Sequence, residues 1–433
     1  MKFVSTRGGC SPASLSDAIR AGQAPDGGLY MPERMPEDPL GGLAGEAGLV
    51  NVAERLLAPF FAGDRLEAEL ADLCSQAYDF DVPLSRPDPA RGGLHVLELF
   101  HGPTGAFKDF GARFLMACLD LLAEPGAPLT VLAATSGDTG GAAGGAAQGR
   151  PGVRAVILFA KDRVSPFQRH QLTCWDEPVA ALEIEGDFDA CQALVKQAFA
   201  DRALSQRHRL TSANSINLAR LLPQSAYLAW AARRVFAETG MAPGLILPTG
   251  NLGHGVAALF ARAMGAPLGP LILATNANAT LSDWMATGAY RPRASVQTLA
   301  NAMDVGAPSN FERLTRFAPH GRQVRVERVD DDAIRARIRA DFERFGQVWC
   351  PHSATAAEAH ARLSPRERET RPWILAATAH PFKFAETVEP LIGRAVEPSP
   401  ALAAIADRTS RAFTCPADLD ALAGYLDTLT ETV

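Results

Sequence analysis

Cysteine is scarce in this sequence, and no two cysteines have the spacing of a functional pair. The 433 residues contain seven: Cys10, Cys74, Cys118, Cys174, Cys191, Cys350 and Cys415. An odd number without C-x-x-C spacing argues against a disulfide framework and against a zinc site. We therefore expect free thiols in a reducing compartment, the cytoplasm.

Long apolar runs and an excess of one charge are also missing. No run approaches the roughly 18 residues of a membrane helix, and the first residues lack the features of a secretory signal. The 42 basic and 48 acidic residues give a net charge of -6, which provides no basic footprint for nucleic acid. The sequence thus predicts neither a membrane nor a nucleic-acid partner, although a local site can still bind an anionic small molecule.

Several catalytic signatures are absent. There is no H-x-x-x-H or carboxylate cluster that predicts a catalytic metal, and no G-x-S-x-G of a hydrolase. Lysine is scarce and arginine carries most of the positive charge, so each of Lys2, Lys108, Lys161, Lys196 and Lys383 is conspicuous.

What the sequence does contain is short apolar runs that alternate with glycine-rich turns and amphipathic helices. The runs are His95–Phe100, Leu129–Ala134, Ala155–Phe159, Leu245–Leu247, Leu271–Ala274 and Trp373–Ala377. Such a pattern predicts parallel sheets covered on both faces, hence a doubly wound α/β class. Helices are predicted at Leu49–Phe61, at Leu66–Ala77, directly after Lys108, and between residues 330 and 346.

Near residue 95 the sequence changes from a Gly- and Pro-rich composition to alternating apolar runs and glycine-rich turns, and we expect three regions in all. Residues 1–95 form an N-terminal extension that ends in a Gly- and Pro-rich linker at residues 86–93. Residues 96–230 form a smaller α/β domain, and residues 231–433 a larger one.

Four loops that follow apolar runs carry the candidate chemistry, because ligands of such folds bind at the carboxyl ends of strands. The first, His101–Asp109, places Lys108 where the loop becomes a helix. A desolvated lysine amine is a nucleophile that forms Schiff bases. A surface lysine remains the alternative, because most lysines lie at the surface.

The other three loops suggest anion and ring contacts. Residues 135–141 (TSGDTGG) and 248–255 (PTGNLGHG) each lead into a predicted helix, whose free N–H groups favour an anion. Their spacing matches neither the Walker A nor the dinucleotide motif, and for both a plain structural turn remains open. In the last loop, residues 377–384, the hydroxyl of Thr378 is placed to meet a heteroaromatic nitrogen or simply to turn the chain. A packed or capping role is favoured for His380.

Taken together, these motifs resemble the threonine synthases of the longer type, which have an extended N-terminal region. The matching segments lie in order at residues 5–8, 26–32, 101–109, 134–141, 214–218, 221–224, 248–253, 303–313 and 378–384. The resemblance implies fold type II of the pyridoxal-phosphate enzymes. The implied reaction converts O-phospho-L-homoserine and water to L-threonine and phosphate.

The resemblance also implies roles for individual residues. Lys108 would be the catalytic Schiff-base lysine. The cofactor would further be bound by Gly250, Asn251, Leu252, Gly253, Thr378 and Asn214. The substrate would be bound by Ser136, Gly137, Asp138 and Thr139. Arg113 and Lys383 are candidates for its phosphate from their positions alone.

Three residues depart from the usual family pattern, and two other activities stay open. Gly105 stands where a leucine is usual and Leu252 where a phenylalanine is usual, and His254 also differs. These changes put loop shape and substrate affinity in question. Another fold type II lyase, such as a serine or threonine dehydratase, and a non-catalytic descendant are the alternatives. We expect a monomer or a homodimer.

Overall fold

The computed structural model describes residues 1–87, 93–317 and 324–430. Its strands are β1 Phe3–Ser5, β2 Tyr30–Pro32, β3 Leu84–Ser85, β4 Leu94–Glu98, β5 Leu129–Thr135, β6 Val153–Ala160, β7 Val179–Glu185, β8 Leu210–Ser212, β9 Gly244–Pro248, β10 Leu271–Thr275, β11 Val324–Arg328, β12 Trp373–Ala377 and β13 Phe413–Pro416. Its helices are α1 Leu15–Ala21, α2 Leu49–Phe61, α3 Leu70–Ala77, α4 Lys108–Leu122, α5 Asp138–Ala147, α6 Pro166–Thr173, α7 Phe188–Ala200, α8 Arg202–Arg207, α9 Leu222–Thr239, α10 Gly253–Ala263, α11 Thr280–Thr287, α12 Phe311–Phe317, α13 Asp331–Phe345, α14 Pro351–Ala361, α15 Pro365–Glu369, α16 Ala385–Ile392, α17 Pro400–Ala406 and α18 Leu419–Thr430. No helix among these residues is long and apolar enough to cross a membrane.

The larger sheet has the strand order β11-β10-β9-β12-β4-β3. All its pairings are parallel except that between β3 and β4. Alternate residues of its inner strands belong to two different hydrophobic clusters. Ile246 and Leu375, for example, pack with α13 and α14, whereas Leu247 and Ile374 pack with the cluster that contains α4, α9 and α10. Both faces are therefore covered, as the near-continuous apolar runs predict.

The smaller sheet has the order β13-β7-β6-β5-β8, and all its pairings are parallel. Its faces are also divided between two clusters, since Val131 packs with the main core and Leu132 packs beside α7 and α18. The predicted α/β class with two doubly wound parallel sheets is thus confirmed.

The division at residues 95 and 230 does not coincide with the division between the sheets. β4 crosses the boundary at 95 and pairs with β12 of the larger sheet. The chain also returns to the smaller sheet near its end, where β13 pairs with β7. These boundaries stay predictions for the domains, but strands from distant parts of the chain build each sheet. Of the predicted linker, residues 88–92 lie outside the described part of the chain.

The N-terminal region packs against helices that hold the site. α2 and α3 bury Phe60, Phe61 and Leu73 in the same cluster as residues of α4 and α9. The fully buried Arg313 of α12 ties three segments together, because its guanidinium donates to the carbonyls of Tyr30, Ser215 and Ile216. The strand pair β1–β2 is in this way connected to the loop that follows β8.

Candidate active site

The two sheets turn the carboxyl ends of their strands toward one pocket. β9, β12 and β4 are neighbours in the larger sheet, and the three loops that follow them contain Gly250, Thr378 and Lys108. In the smaller sheet β5 and β8 are neighbours, and Ser136 and Asn214 follow them. All five residues line the same pocket. The strand-end rule therefore brings together segments that lie far apart in sequence.

The loop that carries Lys108 is held rigidly against the end of β12. The backbone N–H of Phe107 donates to the carbonyl of Thr378 at 2.9 Å, and that of His380 donates to Gly105 at 2.8 Å. Asp109, buried beneath the loop, accepts hydrogen bonds from the backbone N–H and the hydroxyl of Thr104. Lys108 is the first residue of α4, so its side chain extends from a backbone position that these hydrogen bonds hold in place.

The amine of Lys108 is in an environment that favours its neutral form. Its Nζ lies 4.5 Å from the ring centroid of Phe107. Removal from bulk water lowers the pKa of Lys108 to about 8, and the positive charge of Arg220 acts in the same direction. A neutral lysine amine is the nucleophilic form, so the site has the electrostatics that a Schiff-base lysine requires.

Residues Gly250–Gly253 form a tight cradle at the start of α10. A Cβ at Gly250 would lie 2.6 Å from the Cα of Met303, so only glycine fits there. Leu252 has the left-handed φ of 63°, and Asn251 accepts a hydrogen bond from the backbone N–H of Ser309 through its Oδ1. Backbone N–H groups at a helix N-terminus remain to bind an anion. The loop therefore suits the phosphate of a cofactor.

Thr378 lies between the lysine loop and α14. Its backbone N–H donates to the hydroxyl of Ser353 at 3.0 Å, and its side chain is buried beside the pocket. His380 caps the short helical turn after it, since its Nδ1 accepts from the N–H of Phe382. The packed and capping role expected for His380 agrees with this contact.

The loop that follows β5 starts α5 and presents Ser136, Asp138 and Thr139 to the pocket. Gly137 lies between them with a φ of +144°, a conformation that favours glycine. The buried carboxylate of Asp138 pairs with Lys383 Nζ at 2.8 Å. Burial is the largest single influence on the pKa of Asp138 and opposes ionisation, but the charge and hydrogen bond of Lys383 act together with His352 and Lys108, so the pKa lies below its ordinary value.

The expectation that Lys383 contacts the substrate phosphate directly does not fit its surroundings. Its side chain is fully buried, and it donates to the carbonyl of Thr104 as well as pairing with Asp138. Lys383 does not line the pocket, whereas Asp138 does. We therefore treat Lys383 as a positioning residue that connects the β5 loop to the lysine loop.

The expectation for Arg113 stays a prediction that its surroundings do not favour. Its guanidinium pairs with Asp79 and donates to the carbonyl of Gln76, both at the end of the N-terminal region, and it does not line the pocket. The reason is helical geometry. Arg113 follows Lys108 by five residues, which turns its side chain by roughly 140° around α4. Closeness in sequence to the lysine was therefore misleading.

Asn214 and Arg220 line the pocket next to Lys108. Asn214 Nδ2 lies 3.4 Å from the carbonyl of Ala134, and its Oδ1 has no partner among the described residues. Arg220 is buried, donates to the carbonyl of Ala213 and has no carboxylate in ion-pair contact within the described chain. The sequence motifs on either side of Arg220 indicated its neighbourhood but not its role.

Two further side chains line the pocket, and only the first of them, Asp304, lies in one of the segments that resemble the family. Asp304 accepts hydrogen bonds from Thr298, Asn276 and Asn278, and burial raises its pKa to about 6. It organises the segment that packs on Gly250. His352, the second residue of α14, is buried and also lines the pocket. Both groups reach the pocket that contains Lys108 through contacts between segments far apart in sequence.

Two of the three departures from the family pattern, Gly105 and His254, have local explanations. Gly105 has a φ of +64°, and a Cβ there would lie 3.0 Å from the methyl groups of Leu402 in α17, which already occupies that space. His254 stacks on Phe107 with ring centroids 4.6 Å apart and contacts the hydroxyl of Tyr227. Burial lowers the pKa of His254 to about 3, so it is a neutral packing group.

No group of three or more metal-ligating side chains occurs among residues 1–87, 93–317 and 324–430. The pocket brings together the lysine, the two helix N-termini and the surrounding polar groups. In particular, a buried lysine, a phosphate-sized glycine cradle and an unpartnered Asn214 oxygen fit pyridoxal phosphate.

Comparison with known proteins agrees with this reading. Residues 82–379 match the family described as pyridoxal-phosphate dependent enzyme, residues 2–78 match the threonine synthase N terminus, and residues 353–426 match the threonine synthase C-terminal family. The chain is 35% identical to the threonine synthase of Serratia marcescens over 98% of this chain and 99% of the relative. It is 36% identical to that of Escherichia coli over 98% of both chains.

A solved structure shows the same architecture. The crystal structure of pyridoxal-phosphate-bound threonine synthase from Brucella melitensis superposes with a TM-score of 0.90 at 35% identity, over 99% of each chain. The fold is thus fold type II of the pyridoxal-phosphate enzymes, with an N-terminal domain. The chain belongs to the threonine synthase family of pyridoxal-phosphate-dependent enzymes.

Proposed function

We propose that this enzyme converts O-phospho-L-homoserine and water to L-threonine and phosphate, the last step of threonine biosynthesis, with Lys108 as its catalytic residue. The observation that carries the proposal is the convergence of Lys108, Gly250–Gly253, Thr378 and the Ser136–Thr139 loop on one pocket. The relatives that match this chain over nearly their whole length are named threonine synthase, which supports this activity over that of a dehydratase.

The residues present fit the cofactor. Gly250–Gly253 would bind its phosphate through backbone N–H groups, Thr378 would meet the pyridine nitrogen, Asn214 would contact the ring, and Lys108 would bind the aldehyde. When bound, pyridoxal phosphate supplies an electron sink for negative charge at the substrate Cα.

The Lys108 amine performs the proton transfers in this proposal. Freed by the substrate amine, it removes the proton from Cα, and further transfers accompany the loss of a proton from Cβ and of phosphate from Cγ. Protonation at Cγ, addition of water at Cβ and reprotonation at Cα complete the product. A single tethered amine can serve several steps, because it stays within reach of one face of the substrate.

The β5 loop would orient the substrate. Ser136 and Thr139 offer hydroxyl donors, and the N–H groups at the start of α5 favour the carboxylate. Asp138, held by Lys383, fixes the shape of this loop and places a negative charge near Lys108.

Product analysis tests the proposal. The purified holoenzyme is incubated with O-phospho-L-homoserine, with L-serine and with L-threonine in separate reactions. We expect threonine and inorganic phosphate in equal amounts from the first and little 2-oxo acid from the others. Rapid formation of ammonia and a 2-oxo acid from serine or threonine, without phosphate release from phosphohomoserine, would favour a dehydratase.

The oligomeric state and the cellular compartment are also proposed. We propose a monomer or a homodimer in the cytoplasm. Buried thiols fit a reducing environment, since six of the seven cysteines are buried and none forms a disulfide.

A further inference from the structure

His352 occupies the pocket with one ring nitrogen paired and the other unpaired. Its Nε2 accepts a hydrogen bond from the backbone N–H of Ala302 at 3.1 Å. Its Nδ1 has no partner among the described residues, although the side chain is only 4% exposed. Buried polar groups without partners are rare, and each one calls for an explanation.

The contact with Ala302 fixes the tautomer of the ring. A backbone N–H can only donate, so Nε2 must carry the lone pair, and a neutral imidazole then carries its proton on Nδ1. Burial lowers the pKa of His352 to about 4, and the positive charges of Lys108 and Lys383 oppose protonation, while Asp138 favours it. The position of His352 in the first turn of α14 disfavours a cation as well. The ring is therefore a neutral donor.

The packing around the ring holds this donor in place. His352 lies against the ring of Phe384, with centroids 4.9 Å apart. The hydroxyl of the next residue, Ser353, accepts a hydrogen bond from the backbone N–H of Thr378. The imidazole is consequently anchored on both sides and stays at the pocket wall near Asp138 and the β5 loop.

We propose that His352 is a substrate-binding residue whose Nδ1–H donates to an anionic oxygen of the bound substrate. This inference rests on the proposed function. The cofactor contacts proposed above use Gly250–Gly253, Thr378, Asn214 and Lys108, which leaves the donor near the β5 loop for the substrate. This oxygen belongs either to the phosphate or to the carboxylate of the substrate, and the experiment below distinguishes between them.

His254 shows what a buried histidine without this role looks like. It lines the same pocket, but its ring is stacked on Phe107 and its Nε2 contacts the hydroxyl of Tyr227. The Nδ1 of His254 also has no partner among the described residues, but its Nε2 contacts a hydroxyl, which can donate or accept. His352 differs because its Nε2 is paired with a backbone donor, which fixes the proton on the Nδ1 at the pocket wall.

The test compares two variants of the holoenzyme with a matched control. His352→Leu removes the donor, whereas His352→Asn retains an amide N–H close to the position of Nδ1. His360→Leu is the control, because His360 is on the same helix but packs against Trp373 away from the pocket. The quantities measured are KM for O-phospho-L-homoserine and the inhibition constants of inorganic phosphate and L-threonine.

We expect KM to rise roughly 10- to 100-fold in His352→Leu, as for loss of one donor to a charged group. His352→Asn should recover part of this loss, and His360→Leu should match the wild type. Weaker inhibition by phosphate assigns the donor to the phosphate, and weaker inhibition by threonine assigns it to the carboxylate. Unchanged KM and inhibition constants in His352→Leu would overturn the inference.

A measurement on the unmutated holoenzyme keeps the test independent of folding of the variants. Nitrogen-15 NMR of its histidines should show His352 neutral, with Nδ1 protonated and Nε2 as acceptor, and the Nδ1–H signal should shift on addition of phosphate or threonine. An Nε2-protonated or charged ring would contradict the inference. Failure of the proposed function is distinguishable, because the wild type would then release no phosphate from phosphohomoserine.

Discussion

At the scale of single residues, the position of a basic side chain determines whether it can contact a ligand or forms an ion pair within the protein. Arg113 and Lys383 were both expected to contact the substrate phosphate, yet Arg113 pairs with Asp79 and Lys383 with Asp138. The first contact is at the protein surface and the second is buried. Surface and buried ion pairs differ greatly in the cost of losing one partner.

Substitution of Arg113 should therefore affect stability more than catalysis. In Arg113→Ala, we expect KM for O-phospho-L-homoserine to stay within about twofold of the wild type, because the side chain lies outside the pocket. Loss of the contacts with Asp79 and Gln76 should lower the free energy of unfolding by about 1 kcal/mol. Steady-state kinetics and urea denaturation measure the two effects. An increase in KM of about tenfold or more would restore Arg113 as a phosphate ligand.

The environment of Lys108 predicts a pH dependence for cofactor capture. Its pKa of about 8 lies below the ordinary lysine value of about 10.4, so between these values the site holds a neutral amine where a free lysine is charged. After removal of the cofactor, the rate of recombination with pyridoxal phosphate should rise with pH and level off above about 8. Absorbance of the bound cofactor follows the reaction. A rate that keeps rising to the ordinary lysine pKa would contradict this account.

At the scale of elements, α12 locks the loop after β8 to the N-terminal strands. Arg313 does this through the carbonyls of Tyr30, Ser215 and Ile216 and the Oδ1 of Asn310. Burial lowers its pKa to about 9. Because Ser215 lines the pocket, the contact connects the stability of the N-terminal region to the shape of the site.

Removal of this guanidinium should be costly. Arg313→Met would remove the guanidinium donors from the carbonyls of Tyr30 and Ile216 and from Asn310 Oδ1, while the carbonyl of Ser215 would keep the amide of Asn310 as a donor. Each unsatisfied buried group costs about 1–3 kcal/mol. We expect the free energy of unfolding to fall by about 3 kcal/mol or more. Arg316→Met, on the exposed face of the same helix, is the matched control and should change it by less than about 0.5 kcal/mol. Equal effects in chemical denaturation of the two variants would show that the buried network is not stabilising.

At the scale of the whole molecule, the sequence predicted the inner strands well and the edge strands poorly. Strands buried on both faces read as apolar runs, as in β5 and β12, and the amphipathic pattern predicted α2 to the residue. β11 (VRVER) and β13 (FTCP) are at sheet edges and contain no continuous apolar run. The apolar-run criterion that located the inner strands therefore does not detect them.

The sequence predicted those parts of the candidate site whose residues lie in one contiguous motif. The loops of Lys108, Gly250 and Thr378 follow buried strands, so the strand-end rule located them. The pairing of Asp138 with Lys383, and the approach of Arg220 and His352 to Lys108, depend on contacts between segments far apart in sequence. The helical phase around α4, which turns Arg113 away from the pocket, also depends on where the helix begins.

The architecture gives both sheets a share in one catalytic centre. The larger sheet supplies the lysine and the residues proposed for the cofactor, and the smaller sheet supplies the β5 loop proposed for the substrate. β13 and α18 return from the end of the chain to complete the smaller sheet and its core. The relatives match this chain over nearly their full length.

The most direct test of the account is the absorbance spectrum of the purified protein, wild type and Lys108→Ala, recorded alongside turnover of O-phospho-L-homoserine. We expect the wild type to show the band of lysine-bound pyridoxal phosphate and to form threonine and phosphate in equal amounts. Lys108→Ala should lose both the band and the turnover. A Lys108→Ala variant that retains the lysine-bound band, or that still forms threonine at the wild-type rate, would contradict the central claim.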